Sequence, residues 1–350
     1  MNNNPNTQSD NTKNPKYTNL TLTIVADITA NYGETLGNIA TIHTVNRNGK
    51  KYAIRSRESI KREVMVQSGL YDDLSVAVDG AAQKNIYHTD ENNKEKRIGA
   101  DTCKALEGGY FATVKEGSDK GCTFTRKSSI YFSDAIATTP LIGETRFHTN
   151  LHFAMKYAED NNKNVQKDAK EIGLNPYQYQ FDKGYKVYSV TIDLDKICVD
   201  DNIKVDNSKV SSLDADKEKT NRVINILDAI QTLTLDVKGS RDFAEPLFVI
   251  GGLSNVRTHY FEHALCVEED RIRITEQLKY RLNDENSIFN CGMCEGCFEN
   301  EKEIIKEIEG EEGTTNKKVM TVDKFFEILK ENVNECYGIS TKENDEPSVE

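Results

Sequence analysis

Residues 19–30, NLTLTIVADITA, decide how the rest of the chain is read. Leu20, Leu22 and Ile24 alternate with Thr21, Thr23 and Val25, and a period of two with β-branched residues makes a strand. After a glycine-bearing stretch, NYGETLGN, the segments IATIHTV and KKYAI flank Asn48-Gly49. That dipeptide is a strong signal for a two-residue hairpin turn. Ser56 can then cap a helix over RESIKREVMVQSG, with Ile60 and Val64 on one face and Gly69 supplying the stop. Residues 17–69 thus spell strand, hairpin and helix.

Working outward, residues 70–182 lose this clear periodicity. They hold the Gly108-Gly109 pair, a loop GSDKG and charged runs such as ENNKEKR, and are expected to form a long insertion with short elements; NLHFAMKYAEDNNKNVQKDAKEIG is expected to be helical in part. The strand pattern returns in YKVYSVTIDLDKI, where Val187, Ser189, Thr191 and Asp193 face one way and Tyr188, Val190, Ile192 and Leu194 the other. Val223, Ile226, Leu227 and Ile230 follow at helical spacing, and EPLFVIGG returns the chain to a sheet. A last helix, TVDKFFEILKENVNECYG, presents Phe325, Phe326, Leu329 and Val333 as its buried stripe. With no repeat, no regular βαβα alternation and neither glycine-rich nucleotide motif, the chain is an α+β protein with a long insertion.

Its 350 residues, 37% of them hydrophobic, supply a sizeable core. The net charge of −12 excludes the whole surface as a polyanion-binding face, so a nucleic-acid site must be a local basic patch. No apolar run is long enough to span a membrane, and the Asn-rich tail over 1–16 has no apolar core of a signal peptide and is expected to be disordered. The expected location is the cytoplasm, with the eight cysteines reduced.

The basic patch lies between Arg47 and Arg62. Arg47, Lys50, Lys51, Arg55, Arg57, Lys61 and Arg62 face a single acid, Glu58. A hairpin tip and a helix N-terminus come together here, and unpaired N–H groups at such a terminus favour phosphate. Arginine forks and lysine charges can follow a sugar-phosphate backbone without reading bases.

The strand NLTLTIVADI, the glycine-bearing loop with Asn38 and the basic segment AIRSRESIKREV resemble the opening of the CRISPR Cascade backbone family, in its DevR-like branch from type I-B systems. SIYFSDAIATTPLIGETRFHTNLHFA, NPYQYQFDKGYKVYSVTIDLDKI and GGLSNVRTH are similar to later blocks of that family in the same order. The resemblance covers most of residues 18–265. It implies an RRM-like (ferredoxin-like) palm with a long inserted finger region and a thumb, assembled side by side along a guide RNA. The palm would open over 17–69, the finger would occupy 70–182, and palm and thumb would continue over 183–265. By position, Arg55, Ser56, Arg57, Ser59, Lys61 and Arg62 would hold guide-RNA phosphates, with Asn38 before them. Asn255, Arg257 and His259 would contact RNA or the next subunit. The implied partners are the guide RNA, target DNA through it, copies of this chain and other Cascade subunits. The implied role is non-catalytic.

Two other readings stay open. Type III relatives cut RNA with an aspartate before the basic helix, but the loop here, HTVNRNGKK, contains Asn46 and Asn48 and no acid; Asp27 and Glu34 are the nearby carboxylates, and His43 is a lone strand histidine. A zinc-stabilised regulatory or interaction protein is the other. Residues 266–350 depart from the family pattern and carry Cys291, Cys294 and Cys297 at two-residue gaps. Such thiolates can converge on a structural zinc, with Cys266 expected as the fourth ligand and His263 or Cys336 as substitutes. The stretch FENEKEIIKEIEGEE holds seven Glu against two Lys and is expected to be a solvated helix and loop.

Overall fold

The computed structural model describes residues 16–30, 32–36, 39–72, 75–78, 84–89, 95–97, 104–113, 123–174, 176–199, 212–237, 240–310 and 317–339. The tail expected to be disordered, apart from Lys16, and Asn38 lie outside the described residues. The alternating segment is β1 (Asn19–Thr29), and the hairpin is β2 (Thr44–Arg47) with β3 (Lys50–Arg55). Asn48 and Gly49 both have positive φ, 50° and 77°, as a tight hairpin turn of this kind requires. The other main-sheet strands are β4 (Ile130–Phe132), β5 (Ala135–Ala137), β6 (Lys183–Asp193), β7 (Phe248–Ser254), β8 (Ile288–Met293) and β9 (Val319–Met320). The described helices are α1 (Arg57–Gln67), α2 (Leu151–Asp160), α3 (Ser212–Gln231), α4 (Glu276–Leu282), α5 (Glu301–Glu309) and α6 (Val322–Cys336).

The nine strands run in the order β9-β8-β7-β1-β6-β5-β3-β2, with β4 also paired to β6. Strand β1 pairs antiparallel with both β6 and β7, and β6 pairs antiparallel with β4 and β5. Taken along the chain, β1, α1, β4/β5, β6, α3 and β7 give a βαββαβ path whose outer strands flank the first and third, a split βαβ arrangement. The α+β class expected from sequence is what the chain adopts.

The period of two in β1 sorts its side chains between two cores. Leu20, Leu22, Ile24, Ala26 and Ile28 pack with Ile60 and Val64 of α1, the predicted stripe of α3, and Phe325, Phe326, Leu329 and Val333 of α6. On the other face Val25 joins Phe248, Ile250, Phe261 and Phe289. Thr21 and Thr23, which alternation alone would leave to solvent, are fully buried. The Thr23 and Ser189 hydroxyls share a 2.8 Å hydrogen bond, and Thr21 Oγ1 accepts from the Tyr260 amide at 3.3 Å. The segment from His259 onward, the hairpin 265–274, α4 and α5 therefore roof the face opposite α1, α3 and α6.

Two glycines let β7 lie this close to its neighbours. Gly251 and Gly252 sit at φ +146° and +148°, and a Cβ there would fall 1.9 Å from the Thr21 and Ile288 carbonyl oxygens respectively. Only glycine fits such a strand position.

Strands β4 and β5 are one strand interrupted by a bulge. Ile130 opposes Ile192 and Ile136 opposes Val187, a one-residue slip across Ser133 and Asp134. Ser133 fills the gap: its amide donates to the Ser189 carbonyl and its Oγ accepts from the Ser189 amide. The 70–182 stretch thus contributes two strands to the main sheet, and β8, β9 and α6 join that sheet and its core from beyond residue 265. Elsewhere in the expected insertion lie α2, two small antiparallel sheets, and the strands 145–148 and 177–180, which join 39–42 and 32–36 in a four-stranded sheet of order 145–148, 177–180, 39–42, 32–36. No helix among the described residues is long and apolar enough to cross a membrane.

Candidate nucleic-acid interface

The basic segment divides by what each side chain touches. Ser56 caps α1 as expected, its hydroxyl accepting from the Ser59 amide at 3.4 Å. The bulge delivers Asp134 to the same helix end, where Oδ1 accepts from the Arg57 amide at 2.8 Å. The anion expected at this N-terminus is therefore already present as a carboxylate of the chain itself. Arg55 is 5% exposed. Its Nε donates to Ser59 Oγ at 2.9 Å and its Nη1 to the Thr29 carbonyl at 3.3 Å. Burial lowers its pKa against the pull of Glu63 and Asp242. Arg55, through Ser59 and the Thr29 carbonyl, braces α1 against β1.

Arg57 is exposed and paired with Glu58 at 2.9 Å, and Arg62 reaches Glu63 at 2.5 Å. Arg47, Lys50 and Lys51 stand exposed on the hairpin. Lys61 is partly buried and donates to the Gly108 carbonyl at 2.9 Å and to Ser128 Oγ at 2.8 Å. Burial, reinforced by the nearby Arg126 charge, brings its pKa down to about 8, against the pull of Glu58.

Arg57 and Lys61 open onto a cleft of about 380 Å³ that they line with Glu58, Ser128, Ile130, Tyr131, Phe132 and His259. A second cleft of about 340 Å³ adjoins it, lined by Tyr131, Thr191, Asp193, Lys196, Arg257, Thr258 and His259. Tyr131 and His259 belong to both and form the wall between them. The structure thus brings Arg257 and His259 to the same surface as Arg57 and Lys61, although about 200 residues separate them in sequence. Asn255 stays apart: its Oδ1 accepts from the Thr18 amide at 3.1 Å and ties down the turn.

Each cation here has a ready partner. Arg257 pairs with Asp195, and Lys196 with Asp193 at 3.2 Å. His259 Nδ1 shares a 2.8 Å hydrogen bond with Thr191 Oγ1, and burial lowers its pKa against the pull of Glu262. Tyr131, Thr191, Lys196 and Ser128 were not singled out by sequence reasoning. Lys196 carries a faint signal, a lone cation just past the end of a core strand, whereas the Tyr131 strand is too short for its period to be read.

A buried charge network sets the wall geometry. Glu107 is fully buried, and its carboxylate accepts from Arg126 at 3.3 Å, from Arg222 of α3 at 3.0 Å and from the Cys198 amide at 2.8 Å. Arg126 also donates to the Lys196 and Leu106 carbonyls at 2.8 and 2.6 Å. The segment carrying Lys196 is thereby fixed to the start of β4, which carries Tyr131. Breaking such a network from one side strands a buried charge.

The carboxylates near the end of β1 do not form a metal-binding set. Asp27 and Asp242 lie 3.8 and 3.5 Å from Lys183 Nζ, and Asp182 lies 2.5 Å from the buried Lys186 Nζ. The expected zinc ligands are also dispersed. Cys291 is buried among Phe248, Phe261 and Phe289, while Cys294 packs against the opposite core and its Sγ lies 3.7 Å from the Pro246 carbonyl. Cys297 packs with the Cys291 side. Cys266 Sγ, in the 265–274 hairpin, accepts from Arg273 at 3.1 Å. Burial pushes the Cys291 and Cys297 thiols up, and that of Cys294 to about 11. Strand geometry explains the dispersal, since β8 commits Cys291 to one face before the chain turns. Among the described residues no group of three or more His, Cys, Asp and Glu side chains is placed to hold a metal. In the acidic run, α5 buries Ile304 and Ile308, while Glu303 and Glu307 pair outward with Arg271 and Lys279.

Comparison with curated proteins gives no match. Among solved structures, a chain titled "CRISPR RNA-guided surveillance complex" is similar over 80% of this chain and 90% of its own, with 15% identity and a TM-score of 0.46. A second, titled "CRISPR RNA-guided surveillance complex, pre-nicking", is similar over 90% of this chain and 100% of its own, with 12% identity and a TM-score of 0.50, a likeness of fold. The family model described as CRISPR-associated negative auto-regulator DevR/Csa2 matches residues 21–265, which include both clefts and the βαββαβ path from β1 to β7, and the chain belongs to that family.

Proposed function

We propose that this chain is a non-catalytic backbone subunit of a type I-B CRISPR effector complex, binding guide RNA and presenting its bases to target DNA. The observation that carries this reading is the paired cleft, where Arg57, Lys61, Lys196 and Arg257 surround an aromatic wall of Tyr131 and His259. Four cations over two adjoining clefts suit successive phosphates of one strand, and phosphate contacts position a strand without reading its sequence. Family membership and the fold likeness to surveillance-complex chains support the same reading. In this reading the main sheet is the palm, the peripheral strands and α2 belong to the finger, and the thumb falls at or near GGLSNVRTH. Copies of the chain assemble side by side along the guide together with other Cascade subunits in the cytoplasm. Selectivity for DNA comes from the guide's base pairing.

Light scattering of the protein mixed with guide RNAs of increasing length tests this. The expected result is a mass that rises in steps of one subunit as the RNA lengthens. A mass independent of RNA, or of its length, would overturn the proposal.

A further inference from the structure

Away from the clefts, strands Thr145–His148 and Tyr177–Gln180 pair antiparallel, with Arg146 opposite Tyr179 and His148 opposite Tyr177. Directly opposed residues share a face of the sheet. One face of this small sheet therefore carries a ladder in which rings and cations alternate. The Arg146 guanidinium lies 3.4 Å over the Phe181 ring. The His148 ring stacks 5.5 Å from Tyr177 and lies tilted 4.8 Å from Tyr179, and the two tyrosine rings are 6.1 Å apart at 25°. Arg146 and His148 are exposed, and Tyr177 is 39% exposed. The two strands, TRFH and YQYQ, contain no acid in a chain of net charge −12.

We infer that this ladder is a docking strip for single-stranded nucleic acid, distinct from the paired clefts and additional to the function proposed above. The exposed His148 ring and the Tyr177 ring offer stacking surface to unpaired bases, with the buried Tyr179, 7% exposed, backing them, and the neighbouring guanidinium and imidazole suit the strand's negative charge. A protein partner suits the strip less well, because a dry interface would have to strip water from Arg146 and His148 with no acid in either strand to meet them.

The test uses the full chain with fluorescein-labelled oligothymidylate and oligouridylate, each of about twenty nucleotides, read by anisotropy. H148A/Y177A should weaken binding of at least one probe by roughly fivefold or more, the loss of a single base stack. Tyr177→Phe, which keeps the ring, should bind as the parent does. Which probe responds identifies DNA or RNA as the source. R57A/R257A, which disables the clefts, should leave the ring-dependent binding in place. Wild-type affinity of H148A/Y177A for both probes would overturn the inference. So would loss of the ring-dependent binding in R57A/R257A. If H148A/Y177A does not fold, ultraviolet crosslinking of the parent protein decides: adducts on 145–148 or 177–181 support the strip, and adducts confined elsewhere refute it. The cleft reading fails separately, through guide-RNA binding that survives R57A/R257A.

Discussion

Neutralising Arg57, Lys196 and Arg257 together should flatten the salt dependence of guide-RNA binding. The paired cleft presents four cations, these three and Lys61. If each meets one phosphate, the logarithm of the binding constant falls with that of salt at a slope of about −0.7 per contact on a single strand, or roughly −2.8 in all. Raising salt from about 50 to about 200 mM would then cost the parent protein roughly 50-fold in affinity. R57A/K196A/R257A keeps only Lys61, so its slope drops to about −0.7 and the same step costs about threefold. The Arg57–Glu58 ion pair is a small obstacle, because its side chains are 60% and 69% exposed, and exposed pairs are worth at most about 1 kcal/mol. Arg55→Ala is the internal control. Two residues away in sequence but buried, it should leave the slope unchanged and lower the melting temperature, since each of its two hydrogen bonds is charge-assisted and worth about 1.5–3 kcal/mol. Filter binding over a salt series, with a melt of each variant, reads both effects. A triple variant that keeps the parent slope refutes the cleft as the phosphate track. An Arg55 variant that flattens the slope without losing stability refutes the division of the basic segment.

Further outcomes are expected. Lys61, with its pKa brought down to about 8, should take up a proton when RNA binds near pH 9, seen in calorimetry as a dependence on buffer ionisation enthalpy that Lys61→Met removes. The same depressed pKa means that the unfolded chain holds the extra proton between about pH 8 and 10.5, so this residue's contribution to stability should rise with pH across that window. Gly251→Ala should give insoluble protein or lose more than about 4 kcal/mol, because its Cβ would fall on the Thr21 carbonyl; a soluble variant with the parent melting temperature would refute the close approach. Cys291→Ser should cost about 1–3 kcal/mol by burying a hydroxyl among phenylalanine rings, and a chelator should leave the melting temperature unmoved; a chelator-induced drop would restore the zinc expectation. With guide RNA and Mg²⁺ or Mn²⁺ the protein should leave complementary RNA intact, as Asp27 and Asp242 face Lys183, and periodic cutting abolished by Asp27→Ala would reverse that.

Much of the fold was legible wherever a period persists for three or more turns of pattern. Strand β1, the Asn-Gly hairpin, the Ser56 cap, and the stripes of α3 and α6 all follow from local rules that tertiary structure reinforces. Residues 130–137 were not legible as main-sheet strands, because a Ser-Asp bulge cuts them into pieces of three residues, too short for any period to register. The same bulge hid the capping of α1, since no sequence rule links Asp134 to Arg57. Within the candidate site, position along the chain named Arg57, Lys61, Arg257 and His259, which the fold does gather. Charge counting could not tell exposed Arg57 from buried Arg55, because the alternation of β3 turns Arg55 inward. The cysteine spacing is read differently by the fold for a related reason: two-residue gaps suit a metal loop, but here the first thiol belongs to a strand and serves its packing.

The roof over the second face of the main sheet has a consequence for what the molecule can discriminate. Proteins that read RNA on an open four-stranded sheet do so by laying bases against rings on its central strands. Here those strands offer Thr21, Thr23, Ser189 and Thr191, and Tyr260 and His259 already occupy their hydroxyls or lie against them. These strands offer no seat for a nucleobase, so in the proposed assembly the guide is held along the rim of the sheet. In the proposed assembly, sequence blindness is then a property of the architecture: every guide, whatever its spacer, meets the same surface, and one protein serves an entire immune repertoire.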